Sequence, residues 1–231
     1  MADERDAIQG EGDLNFKLSL CDIKNMERKM IGYEPKVDLC FSVLGKLLSV
    51  DHGYALYGAI SRVLPVIHED QEIGLKIVRG RYIGNGLLDI APTSELVLRL
   101  PISKVGQYLG LAGKKLEVLG HWLRVGVPRT RALIPAAALY STLVTTKNGH
   151  DPARFEAEVR SQMARLDLKG RLAIGKRRTF QVHGKQVVGY EVLVSELTAS
   201  ESIILQEQGL GGRRKMGCGF FEAWKGKAFA Q

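Results

Sequence analysis

The sequence of 231 residues predicts an α+β fold made of two tandem units, each with the element order β-α-β-β-α-β. The strands are indicated by apolar side chains that alternate with period two. The helices are indicated by capping residues followed by apolar residues at helical spacing. This order of elements occurs twice. That order is typical of the ferredoxin-like, or RRM-like, domain. We therefore expect an N-terminal extension over residues 1–36 and two ferredoxin-like domains, over residues 37–133 and 134–231.

The first unit begins with residues 37–45, where apolar side chains alternate as in a strand. Asp51 is a favourable N-cap for a helix that runs from His52 to about residue 66, and Pro65 is tolerated at its end. The other elements of this unit are predicted as strands at residues 74–83, 86–90 and 95–100, a short helix at 102–109 and a strand at 115–124.

The second unit begins with a β-branched strand at residues 137–146. Asp151 at the N-cap and Pro152 at the first helical position predict a helix that runs to about residue 167. A hairpin at His183-Gly184, a helix and a last strand complete the unit, over residues 172–182, 185–197, 200–208 and 220–224. No clear sequence repeat relates the two units, so the duplication is predicted from element order alone.

The N-terminal extension differs in composition from the rest of the chain. Residues 1–13 hold five acidic residues against one Arg, so we expect them to be disordered, and residues 16–33 are a candidate for docking as a short helix or strand. This acidic start is unlike a signal peptide, and no apolar run reaches the roughly 18 residues that cross a membrane. We expect a soluble, cytoplasmic protein without membrane contact.

The charge of the chain favours an anionic partner. The formal net charge is +8 and the isoelectric point is about 9.4. The surplus lies in residues 147–231, where 15 Lys and Arg stand against 9 Asp and Glu. The basic side chains are therefore concentrated toward the C-terminus.

The cysteines and histidines predict neither a metal site nor a bound cofactor. The three cysteines, Cys21, Cys40 and Cys218, are far apart and form no C-x-x-C, which argues against zinc and against a disulfide framework. The histidines form no H-x-x-x-H or H-E-x-x-H pattern. The trio His68-Glu69-Asp70 is interpreted as a helix terminus followed by a solvated turn.

Residues 209–219 are the strongest functional signal in the sequence. They contain five glycines and three consecutive cations, Arg213, Arg214 and Lys215. Glycine permits positive φ and a close approach of the backbone to a ligand, and successive N–H groups in such a turn bind anions. Because the loop follows a helix and opens a strand, it fits the backbone of a polymer better than a mononucleotide.

Cleavage of RNA without a metal is the chemistry that these residue types allow. RNA carries its own nucleophile, the 2′-hydroxyl, and needs a base, an acid for the leaving oxygen and cations for the developing charge. His52 is the preferred base, since it stands in the first turn of a predicted helix. The alternative is a histidine that only caps the helix. His121 and His183, beside strands and turns, are interpreted as surface residues, and His150 as a residue that only precedes a helix cap.

Two segments carry a resemblance to a known family. Residues 205–220 (LQEQGLGGRRKMGCGF) resemble the glycine-rich loop, and residues 51–65 (DHGYALYGAISRVLP) the first helix, of the CRISPR-associated repeat-cleaving endoribonucleases, the "Cas-six" family of the RAMP superfamily. They are most similar to the subgroup found with type I systems of myxobacterial or cyanobacterial character. The resemblance extends over residues 37–224, whereas an extension like residues 1–36 is not expected in the family.

The resemblance implies a function. Members bind the repeat of precursor CRISPR RNA, usually at a stem-loop, and cut once per repeat by 2′-hydroxyl attack without a metal, which leaves a 2′,3′-cyclic phosphate and a 5′-hydroxyl. Many stay on the 3′ stem and join other subunits of a type I surveillance complex. The implied general base is His52, with Tyr54, Tyr57 or Lys46 as helper. The implied RNA contacts are Gly209, Gly211, Gly212, Arg213, Arg214, Lys215, Gly217 and Gly219.

Some alternatives remain open from the sequence. The cluster Lys176-Arg177-Arg178 either grips the RNA stem or is a solvated strand end. The chain is either the endoribonuclease, a catalytically inactive subunit that binds guide RNA, or a basic assembly protein unrelated to RNA. The residue that protonates the leaving group is not identified.

Overall fold

The structure, a computed structural model, describes residues 34–226. The predicted disorder of residues 1–13, the docking segment 16–33 and Cys21 lie outside this range. Strands and helices below are numbered in chain order within it.

The first half of the described chain contains eight strands, three α-helices and two 3₁₀ helices, Ile102–Lys104 and Leu109–Leu111. Helix α1 forms because Leu56, Ala59 and Ile60 recur at helical spacing and all three are buried in the first hydrophobic core. The elements are β1 (Lys36–Leu44), β2 (Leu47–Ser49), α1 (Gly53–Val63), α2 (Val66–Glu69), β3 (Gly74–Lys76), β4 (Arg81–Gly84), β5 (Leu87–Asp89), β6 (Glu95–Pro101), α3 (Val105–Tyr108), β7 (Lys115–Val118) and β8 (His121–Ala132).

The main sheet of the first half is antiparallel, with the strand order β3-β6-β1-β8-β7. Strands β1, β3, β6 and β8 are the first to fourth strands of the β-α-β-β-α-β unit, so their order in space is 2-3-1-4. This is the ferredoxin-like arrangement that the element order predicts. A small second sheet, of order β2-β5-β4, lies outside the unit.

The second half has the same arrangement. Its antiparallel sheet has the order β10-β11-β9-β12, again 2-3-1-4 in the order of the unit. Helix α4 begins as predicted, because the Asp151 carboxylate accepts hydrogen bonds from the N–H groups of Ala153 and Arg154, at 3.0 and 3.1 Å. The elements are β9 (Leu139–Val144), α4 (Pro152–Arg165), β10 (Arg171–Val182), β11 (Lys185–Ser195), α5 (Ala199–Gln208) and β12 (Glu222–Ala223).

Each half has its own hydrophobic core. Buried residues between Leu39 and Val125 form one cluster, and those between Leu139 and Phe221 form the other. The α+β class with tandem ferredoxin-like units is confirmed, whereas the domain boundaries at residues 36 and 133 stay predictions.

Two predicted strands are divided in the structure. The segment 74–83 is split into β3 and β4, and the segment 115–124 is a hairpin of β7 and β8. The hairpin turns at Leu119 and Gly120, which have φ of 52° and 79°. Two successive positive φ angles are typical of the tight type I′ turn, and a leucine there gives no sequence signal for it.

A buried arginine joins the two halves. Arg99 of β6 is 2% exposed, and its Nε donates to Asp38 at 2.7 Å. Its Nη1 donates to two backbone carbonyls of the second half, those of Gln206 at 3.0 Å and Phe221 at 2.8 Å. These two bonds fix the end of α5 and the start of β12 against the first sheet. Removing one partner of a buried ion pair such as Arg99–Asp38 costs about 3–5 kcal/mol.

No helix within residues 34–226 is long and apolar enough to cross a membrane.

Candidate active site

His52 lies in the interior beside the start of α1. Its side chain is 0% exposed, Nδ1 is 2.7 Å from the Ser49 carbonyl oxygen, and Nε2 accepts the Val78 N–H at 3.1 Å. A carbonyl can only accept, so Nδ1 carries the proton and the imidazole is neutral. Burial lowers the pKa of His52, against the opposing effect of its bonds near Ser49. Both nitrogens are therefore occupied by the protein, and the role of His52 as a base stays a prediction that this geometry does not favour.

His68 is an exposed histidine at the last turn of α2, next to the same helix α1. Its Nδ1 lies 2.8 Å from the hydroxyl of Tyr57, and the two rings stack with centroids 6.1 Å apart. The Tyr57 side chain itself is only 8% exposed. The buried tyrosine thus fixes the imidazole, and no hydrogen bond within residues 34–226 occupies its Nε2.

Lys215 of the glycine-rich loop completes this cluster. Its ammonium donates to the carbonyls of Ile67 at 3.2 Å and His68 at 2.7 Å, and it lies 5.8 Å from the centre of the Tyr57 ring. Partial burial lowers the pKa of Lys215, and Asp70 opposes this. We call Tyr57, His68 and Lys215 the tyrosine–histidine–lysine cluster.

The turn after His68 is anchored in the protein, which corrects its interpretation as solvated. Asp70 is 8% exposed and accepts from Lys104 and from the Tyr108 hydroxyl, both at 2.9 Å. Burial alone would raise the pKa of this carboxyl, but these bonds hold it below its usual value. Asp70 therefore fixes the end of the short helix that carries His68.

A second tyrosine–histidine pair crosses from one half to the other. The hydroxyl of Tyr54 lies 2.8 Å from Nε2 and 3.1 Å from Nδ1 of His183, with ring centroids 4.8 Å apart. His183 is exposed at the tip of the β10–β11 hairpin, which turns where the sequence predicts. Asp51 does not cap α1, because its carboxylate accepts the Gln181 N–H of that hairpin at 2.8 Å.

The glycine-rich loop packs tightly against α1 and β3. A Cβ at Gly53 would overlap the Met216 carbonyl oxygen, and a Cβ at Gly217 would overlap the Ile77 side chain. Gly217 also has φ of 89°, in the region that favours glycine. These two glycines are therefore required by the contact between the halves, whatever the loop binds.

Several loop N–H groups that were expected to bind an anion are bonded within the protein. The N–H of Gly211 donates to the Gln162 side chain at 2.6 Å, that of Gly212 to the Thr145 carbonyl at 2.8 Å, and that of Gly219 to the Leu143 carbonyl at 2.7 Å. The N–H of Gly209 and of Gly217 donate to carbonyls at 2.9 and 3.4 Å. The five glycines shape the loop, and their direct contact with RNA stays a prediction.

The three consecutive cations have different environments. Arg213 is exposed in the left-handed conformation, with φ of 58°. Arg214 turns inward, where Nη1 donates to the carbonyls of Glu207 at 3.0 Å and Gln208, at the end of α5. Burial, reinforced by Arg99, lowers the pKa of Arg214 to about 10.

The remaining predicted residues lie elsewhere. Lys46 is exposed between β1 and β2, and its ammonium makes no hydrogen bond to any described residue of the α1 face. Lys176 and Arg177 are exposed on β10, and Arg178 pairs with Glu191 at 2.9 Å.

A cleft of about 780 Å³ lies between the two halves. Basic side chains outnumber acidic ones along it, although Lys76 and Arg79 pair with Glu222 and Arg131 pairs with Glu95. Its charged lining residues are Asp38, Lys76, Arg79, Glu95, Arg99, Arg131, Lys176, Arg178, Glu191, Glu222 and Lys225.

Cys218 of the loop is a structural residue. Its side chain is 0% exposed, and burial raises the pKa of its thiol to about 12. A thiol that stays protonated at neutral pH is a poor nucleophile.

The two tandem ferredoxin-like units, with the glycine-rich loop of the second packed against the first, define an α+β protein of the tandem ferredoxin-like class. A sequence model of the Cas6 family, described as "Cas6 Crispr", matches residues 37–226. The CRISPR-associated endonuclease Cas6 of Myxococcus xanthus (strain DK1622) is 38% identical over 192 residues, which are 80% of this chain and 80% of that protein. The chain belongs to the Cas6 family.

Solved structures show the same fold. A Cas6-related protein from Pyrococcus furiosus superposes with a TM-score of 0.62 at 12% identity, over 83% of this chain and all of that one. A RAMP protein described as binding different RNA substrates gives a TM-score of 0.59 at 14% identity, over 80% of this chain and 98% of that one.

Proposed function

We propose that this chain is a metal-independent endoribonuclease that cuts precursor CRISPR RNA within the repeat. Membership of the Cas6 family and the 38% identical relative named as an endonuclease support the enzyme class. The observation that carries the chemistry is the tyrosine–histidine–lysine cluster, because it places an exposed imidazole, one nitrogen of which is not hydrogen-bonded to any described residue, beside a cation.

His68 acts as the general base in this proposal. Its Nε2 takes the proton of the 2′-hydroxyl, whose oxygen then attacks the neighbouring phosphorus while the bond to the 5′ oxygen breaks. The products are a 2′,3′-cyclic phosphate and a 5′-hydroxyl. In the base form the His68 proton is on Nδ1, which donates to the Tyr57 hydroxyl oxygen 2.8 Å away, so the lone pair is on Nε2. This contact holds the imidazole in one orientation, and a fixed imidazole loses little freedom on reaction.

Cations near His68 stabilise the charge that develops on the phosphate oxygens. Lys215 is held within hydrogen-bond distance of the His68 carbonyl, and Arg213 stands exposed two residues earlier in the loop. Fixed charges of this kind need no reorganisation during the reaction. We assign Lys215 to the scissile phosphate and Arg213 to a neighbouring one.

His52 has a supporting part in this account. Its two hydrogen bonds tie the segment before α1 to the backbone at Val78 and so hold the helix that carries Tyr57. The assignment of the base to His68 and not to His52 rests on accessibility, since a nitrogen without an exposed surface cannot reach a 2′-hydroxyl.

The RNA is proposed to extend from the cluster over basic surfaces of both halves. Arg177 and Lys176 on β10 are exposed, and the basic cleft between the halves also offers positive charge. A hairpin in the repeat, retention of the 3′ stem after the cut and assembly with other subunits of a type I complex belong to this proposal.

The experiment uses end-labelled repeat RNA and excess protein in EDTA, beside the same RNA with a 2′-deoxy nucleotide at the cut. We expect one cut in EDTA, none in the 2′-deoxy RNA, and a cyclic phosphate on the 5′ fragment. A cut that needs added metal, or one that persists in 2′-deoxy RNA, would contradict the proposed chemistry. Tight, salt-sensitive binding without a cut would instead favour the inactive guide-RNA-binding subunit.

A further inference from the structure

Two exposed histidines meet the same helix, α1, and come from different halves of the chain. His68 is held by Tyr57, and His183 is held by Tyr54. The two tyrosines are three residues apart in α1, so they share one helix face with their Cβ atoms about 5–6 Å apart. The two tyrosines that hold the imidazoles are thus one helical turn apart.

The hairpin that carries His183 is held in place at the candidate site. The Asp51 carboxylate binds the Gln181 N–H at 2.8 Å, and the Tyr54 hydroxyl approaches Nε2 of His183 at 2.8 Å. His183 has φ of 48° and Gly184 has φ of 73°, so the imidazole projects from a tight two-residue turn. Asn or Gly is favoured at such a position, and a histidine there gives no gain in turn stability.

Cleavage by 2′-hydroxyl attack needs a second proton transfer that His68 alone does not supply. The base removes a proton from the nucleophile on one side of the phosphorus, and the 5′ oxygen leaves on the opposite side. An acid for that oxygen must therefore approach from elsewhere. Among the described residues on the α1 face, His183 is the second imidazole that is exposed and fixed by a tyrosine.

We propose that His183 is the general acid of the cleavage, a role that rests on the proposed function of the chain. The protonated imidazole of His183 gives its proton to the 5′ oxygen as the phosphorus–oxygen bond breaks, while His68 receives the 2′-hydroxyl proton. The reaction ends with His68 protonated and His183 neutral, and exchange with water restores both. The Tyr54 hydroxyl orients His183 and does not enter the balance.

The active site is then shared between the halves. The first half supplies the base and the second supplies the acid, so cleavage depends on the contact that Asp51 and Gln181 make across the boundary. The exposed ring of His183 could instead stack on a base of the RNA. Stacking would contribute to RNA binding, whereas a general acid assists only the breaking of the bond between phosphorus and the 5′ oxygen.

The test compares two repeat RNAs in single-turnover cleavage, one natural and one with sulfur in place of the 5′ oxygen at the cut. Sulfur leaves without protonation, so loss of a general acid slows the natural substrate alone. The variant is His183→Asn, because asparagine adopts the left-handed conformation and preserves the turn. His150→Asn, which changes another exposed histidine of the second half, is the matched control.

We expect His183→Asn to slow cleavage of the natural RNA by about 10²–10⁴-fold and to cut the sulfur RNA within about threefold of the parent protein. Equal slowing of both RNAs would make His183 a binding residue, and an unchanged rate on natural RNA would also overturn the proposal. His68→Gln should slow both substrates. Failure of the parent protein to cut natural RNA would instead overturn the proposed function, and this inference with it.

Discussion

His52 and His68 flank one helix, yet their imidazoles have opposite environments. His52 precedes α1 within residues 51–65, the segment that resembles the first helix of the family. Its side chain is fully buried, and both ring nitrogens are hydrogen-bonded to the backbone. His68 follows α1 in a segment with no motif of its own, and it is exposed with one nitrogen fixed by Tyr57. This difference in burial supports the proposal that His52 holds the scaffold while His68 performs the chemistry.

Of the changes around α1, the largest loss of folding stability is expected from a substitution at the start of this helix, between His52 and the glycine-rich loop. Gly53→Ala places a methyl group against the Met216 carbonyl, and such overpacking costs about 1–3 kcal/mol. We expect lower stability in urea unfolding and slower cleavage, because the loop with Lys215 is displaced. Gly58→Ala is the matched control in the same helix, since its nearest neighbour atom would lie 3.9 Å from the new Cβ.

That control should be stabilised by about 0.5–1 kcal/mol, since alanine is favoured over glycine within a helix. Equal stability of the two variants would contradict the tight contact between α1 and the loop.

The buried state of His52 predicts a pH dependence of stability. Burial lowers its pKa in the folded state below the ordinary value of 6.5, so the unfolded chain binds the proton first as the pH falls. Stability should therefore fall below about pH 6.5, by up to about 1.4 kcal/mol per pH unit. Urea unfolding between pH 5 and 7.5 measures this slope. It should be smaller in His52→Gln and unchanged in His150→Gln, and an unchanged slope in His52→Gln would contradict the buried neutral imidazole.

The contact between Tyr57 and His68 predicts a moderate effect on rate. Tyr57→Phe removes the hydroxyl that fixes Nδ1, and a hydrogen bond of about 0.5–1.5 kcal/mol corresponds to a roughly two- to twelvefold slower cleavage. Single-turnover rates at saturating protein measure it. Tyr82→Phe, at a tyrosine that is 63% exposed on β4, is the control. An unchanged rate in Tyr57→Phe would mean that His68 does not depend on this contact.

The glycine-rich loop also has an exposed residue next to an inward-turned one, and this pair predicts the smallest effect, a change in the salt dependence of RNA binding. Arg213 is exposed, whereas Arg214 binds the end of α5. Arg213→Ala should flatten the salt dependence of RNA binding by about 0.7–0.9 units in a plot of log K against log salt, because one phosphate contact is lost. A folded Arg214→Gln variant should keep the parental slope. The reverse result would contradict the assignment of the exposed cation to the RNA.

The order of elements was predictable because the signals are local. Asp151 caps α4, and the turn at His183-Gly184 joins two β-branched strands. The helix and the hairpin therefore follow from neighbours in the sequence. The division of residues 115–124 into β7 and β8 was not predictable, since Leu119 at the tight turn between them carries no turn signal. The division of residues 74–83 into β3 and β4 was likewise missed.

The candidate site was only partly predictable. The helical pattern predicts that Tyr54 and Tyr57 lie on the first helix. The histidines that they contact are 129 and 11 residues away in sequence, so these pairs depend on the tertiary structure. The burial of His52 depends likewise on the backbone at Val78. The one local signal for His68 was its position at a helix end between apolar and acidic residues, which also fits a solvated turn.

The most direct test compares His68→Gln with His52→Gln in single-turnover cleavage of repeat RNA, with unfolding curves and RNA affinity measured on the same preparations. We expect His68→Gln to stay folded, to bind RNA like the parent and to cut about 10²–10⁴-fold more slowly. His52→Gln should lose stability while its folded fraction keeps cutting. A folded His52→Gln that binds but does not cut, beside a His68→Gln with the parental rate, would contradict it.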